Sequence, residues 1–190
     1  MRLLISFWIA CGIFLPHVAE AGENRLRLSG DIQITIPDDW IIGDTYTIRH
    51  SSANPLIMAR KFNANNEVLA SVIVNRLQST KESVENINKS LTMPQKEKDN
   101  FINIAKTDLP NFGFSSIDSV DATMSRYDSY NIITITAFGN IGSIKYQWNL
   151  FIHPINESIV HLITLHRIEN KDAINQLNII MQKFYAGIRQ

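Results

Sequence analysis

The stretch NIITITAFGNIGSIKYQWNLFIH runs from Asn131 to His153. Two arms, Asn131 to Phe138 and Ser143 to His153, flank Gly139-Asn140-Ile141-Gly142. Glycine and asparagine tolerate the left-handed backbone of tight turns, so the arms are expected to fold back on each other as a β-hairpin. The second arm alternates: Ile144, Tyr146, Trp148, Leu150 and Ile152 stand against Lys145, Gln147, Asn149 and His153. A period of two is the mark of a strand with two different faces.

Downstream, Pro154-Ile155-Asn156-Glu157 reads as a turn, and Ser158 to His166 as a strand that is apolar on both faces. Asn170 then caps a helix whose stripe is Ile174, Leu177, Met181, Phe184 and Ile188. Upstream, Phe114 to Tyr127 reads as one long, bulged strand. Before it the period is helical. Val84, Ile87 and Leu91 mark one helix over Thr80 to Leu91. Thr92 with Gln95 three residues on forms a capping-box pattern, and Pro94 suits a first helical turn. That second helix runs to about Leu109 with Phe101, Ile104 and Ala105 inward, and Pro110 and Gly113 stop it.

The amino-terminal half adds more strands. Ile32, Ile34 and Ile36 share one face of Gly30 to Ile36, Pro37-Asp38-Asp39 turns the chain, and Trp40 follows. Thr45 to Arg49 is a short strand candidate. Leu56 to Phe62 and Glu67 to Leu77 are joined by Asn63-Ala64-Asn65-Asn66. The second of these is apolar on both faces, as a covered central strand requires. Consecutive strands with short turns pair antiparallel, and helical stripes must bury against a sheet. The expected class is α+β, a largely antiparallel twisted sheet of about six to eight strands covered by about three helices.

Residues 1–21 carry a different signal. Met1 and Arg2 precede an apolar run from Leu3 to Leu15, Pro16 ends it, and Ala19-Glu20-Ala21 is a small-x-small site. This is the pattern of a secretory signal peptide cleaved after Ala21, and the run is shorter than the roughly 20 residues a spanning helix needs. Cys11 lies inside the apolar core, behind a poor lipobox, so lipidation is not expected. Residues 22–190 are then one domain with no integral membrane segment, in the periplasm or secreted. The sole cysteine departs with the leader, so this domain holds no disulfide and no thiol chemistry. The leader carries one basic and one acidic residue, so the remainder keeps the zero net charge of the whole chain. A neutral domain offers no overall electrostatic attraction to nucleic acid. Abundant Asn and Ile fit an AT-rich bacterial genome.

Few residues suggest chemistry. His50, His153, His161 and His166 form no metal-binding pattern, and His161 and His166, five apart on one strand, face opposite ways. No nucleophile elbow, phosphate loop or dinucleotide fingerprint is present. No catalytic residue, cofactor or metal is expected. The candidates for contact with a partner are Asp38, Asp39 and Trp40 in the turn, Tyr46 after it, Phe112 beside Gly113, and Tyr127 and Tyr130 around Asp128-Ser129. Partly exposed aromatics are frequent anchors of interfaces. Tyr146 and Trp148 share a strand face with Ile144 and Leu150 and are expected in the core.

The opening strand with Ile36-Pro37-Asp38-Asp39-Trp40, and the close on a last strand Ile159 to Arg167 followed by a helix ending Phe184-Tyr185-Ala186-Gly187-Ile188, resemble the PsbP/DcrB-like superfamily. Its members include photosystem extrinsic proteins, a Ran-binding transport factor and bacterial periplasmic proteins. The resemblance implies a non-enzymatic binding or accessory protein with a protein partner in the cell envelope. A fold of this kind names no partner. Two other roles fit an exported, motif-free domain: an immunity protein against a secreted antibacterial toxin, or an effector or enzyme whose site gathers His50 with Asp38 or Asp39.

Overall fold

A computed structural model describes residues 22–29, 32–43, 54–90, 92–127, 130–155 and 158–187. The leader, the strand candidate at Thr45 to Arg49, and His50 lie outside these residues. The strands are β1 (Glu23–Ser29), β2 (Ile32–Pro37), β3 (Ile41–Gly43), β4 (Asn54–Phe62), β5 (Val68–Gln78), β6 (Ser116–Tyr127), β7 (Tyr130–Ile141), β8 (Ile144–Ile155) and β9 (Ser158–Arg167). The helices are α1 (Lys81–Lys89), α2 (Gln95–Asp108), with a 3-10 turn at Leu109–Phe112, and α3 (Lys171–Gly187).

Seven strands make one antiparallel sheet in the order β3-β4-β5-β9-β8-β7-β6, and β1 and β2 pair separately. The last strand, β9, lies at the centre of the large sheet, between β5 and β8. Its apolar residues on both faces follow from that position: one face is covered by the β1–β2 hairpin and α3, the other by α1 and α2. On the first face Ile32, Ile34 and Ile36 of β2 meet Leu177, Ile180 and Phe184 of α3 over Val72, Val74 and Leu162 of the sheet. Burying a side chain of this size contributes about 1.5–3 kcal/mol. On the second face Ala105 and Leu109 pack with Ile135, Ala137 and Trp148.

The class and the helix count match the sequence expectation, and several boundaries differ. β1 was not foreseen, because only Leu26 and Leu28 give it an apolar side among charged neighbours. β3 has three residues, too few for any periodicity. The hairpin turn shrinks to Gly142-Ser143, so Gly139 and Asn140 belong to β7 and pair with Tyr146 and Lys145. Pro154 is not in a turn but in β8, opposite Ile159. It lies past the last β7–β8 partners, Ile133 and Ile152, where β8 is paired on one side only. The capping box at Thr92 does not form. α2 starts at Gln95 with Pro94 as its N-cap, which leaves Thr92 two residues too early to cap. Ile104 points outward, 49 % exposed, and Ile102 takes a partly buried place instead. By contrast, Thr80 does cap α1 through Ser83 N–H, and Asn170 caps α3 through Ala173 N–H.

Candidate functional site

The Pro37–Trp40 turn is a structural tie. Trp40 is buried at 3 % exposure, and its indole N–H donates to Gln176 Oε1 on α3 at 2.6 Å. Beside it Lys61 Nζ of β4 donates to Asp39 Oδ2 at 2.9 Å and to Asp172 Oδ2 at 2.7 Å. Burial alone would raise the Asp39 pKa, but the bonds from Lys61 and Gln176 outweigh it and hold the carboxyl below its ordinary value. Burial also opposes the charge on Lys61, and its two carboxylate partners outweigh that and raise its pKa. The turn, β4 and the first turn of α3 are thus joined by one small ionic cluster. Asp38 is exposed and accepts from Asn24 at 3.0 Å, which fixes β1.

The remaining sequence candidates are not gathered with this turn. Phe112 is half-buried on the opposite face of the sheet, 5.7 Å from Trp148 between ring centroids. Tyr130 is half-buried where β6 and β7 meet, at its Cα partner Tyr127. Tyr46 and the side chain of Tyr127 lie outside the described residues. The seven residues therefore form no single described site, and Trp40 corrects the expectation of an aromatic at the surface, because α3 covers it.

The histidines are separated as the strand period requires. His166 lies with Thr164 and Val160 on the α3 face, and His161 on the α1–α2 face. Burial pushes the His153 pKa down to about 3, aided by the charge of His161, and pushes His161 down to about 4. Both imidazoles are neutral at pH 7. Among the described residues no group of three His, Cys, Asp or Glu side chains is placed to hold a metal ion, and no helix is long and apolar enough to cross a membrane.

A broad concave feature lies between the sheet and the α1–α2 layer. α2 packs on β6 and β7, and α1 on β7, β8 and β9, so the helices lean toward one side of the sheet. A cleft of ≈ 1340 Å³ opens above the rest. Its floor follows the strand register. One row runs Arg60, Ser71, Leu165, Trp148, and the next Met58, Ile73, Ile163, Leu150. A third row holds Asn75, His161 and Ile152, and Leu77 with Ile159 closes that end. At the opposite end Arg167 donates to Glu67 Oε2 at 2.9 Å and to the Tyr146 hydroxyl at 3.1 Å, which seals the corner with an ion pair. The roof is set by Asn131 of β7, whose amide donates to the carbonyls of Ile87, Asn88 and Ser90 and so fastens the end of α1.

Two wall residues hold polar atoms with no hydrogen-bond partner among the described residues. Asn75, 4 % exposed, has no hydrogen bond to Oδ1, and Trp148, 2 % exposed, has none from its indole N–H. Buried polar atoms are nearly always paired, and exceptions mark places of interest. Sequence reading placed Trp148 and Tyr146 inside the fold and missed the cleft. The available signal was polar interruption of apolar strands, Asn75 in VIVNRL and His161 in SIVHLITL.

No family model matches the chain, and a comparison with curated proteins gives no significant match. Solved structures do match. The solution structure of PsbP (CyanoP) from the cyanobacterium Synechocystis aligns with a TM-score of 0.55 and 12% identity, covering 87% of this chain and 93% of that one. The Ran-binding protein Mog1p of Saccharomyces cerevisiae aligns with a TM-score of 0.50 and 12% identity, over 88% and 94%. At such identity the shared property is the fold: this chain has the α+β fold of the PsbP-like proteins that its first turn and last helix resemble.

Proposed function

We propose that this is an exported, non-enzymatic binding or accessory protein of the bacterial cell envelope, and that what it binds sits in the cleft between the sheet and the α1–α2 layer. The observation that carries the reading is the cleft itself: a large concavity whose walls are mainly apolar, Ile above all, with polar and charged side chains set among them. Default binding sites have this composition. The leader pattern in residues 1–21 supports export. The two solved structures above share this fold, and one of them, the Ran-binding protein Mog1p, is a binding protein, which supports a binding role.

Site-directed photo-crosslinking in living cells tests this. A benzophenone amino acid replaces Ile104, at the lip of the cleft, or Ile179, exposed on α3 on the far side of the sheet. A specific adduct from position 104 in the envelope fraction, absent from position 179, is expected. Equal labelling at both positions, or none at 104, overturns the reading.

A further inference from the structure

Among the described residues, one cation of the cleft has no ion-pair partner. Arg60 lies half-buried on the floor and has no ion-pair partner among the described residues, while Arg167 at the same end is held by Glu67. The register partner of Arg60 on β5 is Ser71, 8 % exposed, whose hydroxyl is a second polar group on that spot. The other acids of the cleft, Glu97 and Asp108, stand exposed on α2, where water screens them. A half-buried guanidinium favours a planar anion that can take two of its hydrogens at once.

Away from Arg60 the floor becomes hydrocarbon, with Met58, Ile73, Ile163 and Leu150 in one row across four strands. Beyond that row stands His161, which burial holds neutral. The volume, ≈ 1340 Å³, exceeds the roughly 300–1,000 Å³ of pockets for drug-sized molecules. An extended peptide is a poor occupant, since each residue brings an N–H and a C=O and the row Met58, Ile73, Ile163 and Leu150 has no side-chain group to meet them. A long hydrocarbon chain has no such requirement.

We propose that the cleft binds a long-chain carboxylic acid, with its carboxylate on Arg60 and Ser71 and its chain along the apolar floor. The inference rests on the reading of the cleft as the binding site and adds the class of ligand. Its test uses the full chain with Trp8→Phe, so that only Trp40 and Trp148 emit. Stearic acid brominated at mid-chain quenches tryptophan on contact. Trp148 lines the cleft and Trp40 lies across the sheet, so quenching of Trp148 alone is expected, and it should vanish in Trp148→Phe. Arg60→Gln should weaken binding of the acid at least about tenfold, the loss expected for a charged hydrogen bond, and leave the melting temperature unchanged. The brominated alcohol of the same length should bind both proteins equally and more weakly.

Quenching that survives Trp148→Phe, equal binding of acid and alcohol, or an unchanged affinity in Arg60→Gln overturns the inference. So does a lysophospholipid that binds more tightly than the acid, because phosphate would then be the head group. If no acyl compound binds but position 104 still yields a specific adduct, the ligand class is wrong and the cleft remains the site. If both fail, both fall.

Discussion

Trp40 shows how a single residue can be read correctly as a motif and incompletely as a structure. Its place after Pro37-Asp38-Asp39 is plain in the sequence, but Gln176, its hydrogen-bond partner, is 136 positions away. No local pattern reports such a contact. Trp40→Ala should destabilise the fold by about 3–5 kcal/mol, the cost of emptying an aromatic core site. Trp40→Phe keeps most of the packing and should cost about 1 kcal/mol for the lost bond. Urea unfolding monitored by circular dichroism separates the two. His153, buried, and His161, half-buried, set a second residue-scale expectation. Unfolded, His153 and His161 protonate near the ordinary value of about 6.5. Folded, they protonate only near 3 and 4. The unfolded chain therefore binds more protons as pH falls below about 6.5, and native stability declines through that window. Each histidine contributes up to about 1.4 kcal/mol per pH unit. Unfolding midpoints measured from neutral to mildly acid pH should fall accordingly, and His153→Gln should flatten the slope. A midpoint that rises on acidification counts against the neutral imidazoles.

Among the elements, the β7–β8 hairpin was the most legible and still held a surprise. Alternation fixed both arms, yet of the four expected turn residues Gly139, Asn140 and Ile141 belong to β7 and only Gly142 to the turn. Gly139 and Gly142 look equivalent in the sequence and are not. Gly142 has φ 61° with nothing near a side chain, so it needs only a residue that accepts the left-handed region. A Cβ on Gly139 would lie 2.2 Å from the Ser116 carbonyl oxygen and 2.8 Å from Phe114 Cδ1, where β6 begins. Gly142→Asn should stay within about 1 kcal/mol of the parent. Gly139→Ala should cost about 1–3 kcal/mol through overpacking and shift the Phe114 ring resonances. If the two substitutions cost the same, the turn has been placed wrongly. Helix ends divide along similar lines. Thr80 and Asn170 cap by their own side chains and were readable, whereas the anchoring of α1 by Asn131 joins distant parts of the chain and was not.

For the whole molecule, the class and the two-sided burial of the sheet were legible because hydrophobic period is a local property. The cleft was not, since its floor draws residues from β4, β5, β9 and β8, and no turn dictates that β9 lies between β5 and β8. Arg60 escaped notice for another reason: it stands opposite Ser71 through a β4–β5 register that shifts at Lys61/Phe62. Export gives a prediction at this scale. The protein recovered from the periplasm or medium should begin at Gly22, by intact mass and terminal sequencing, and its melting temperature should be indifferent to reductant. Material that keeps Met1 and stays in the cytoplasm removes the basis for an envelope role.

The central seat of β9 has a consequence for how the protein is made. The ribosome delivers Ser158–Arg167 after both of the strands it joins, yet β5 and β8 each need that segment as a neighbour. Until it emerges, β4–β5 and β6–β8 are two separate half-sheets, each with an open flank. Contacts so distant in sequence form slowly. A nascent chain thus stays loose until β9 has emerged, and only then can the two half-sheets close on a common neighbour.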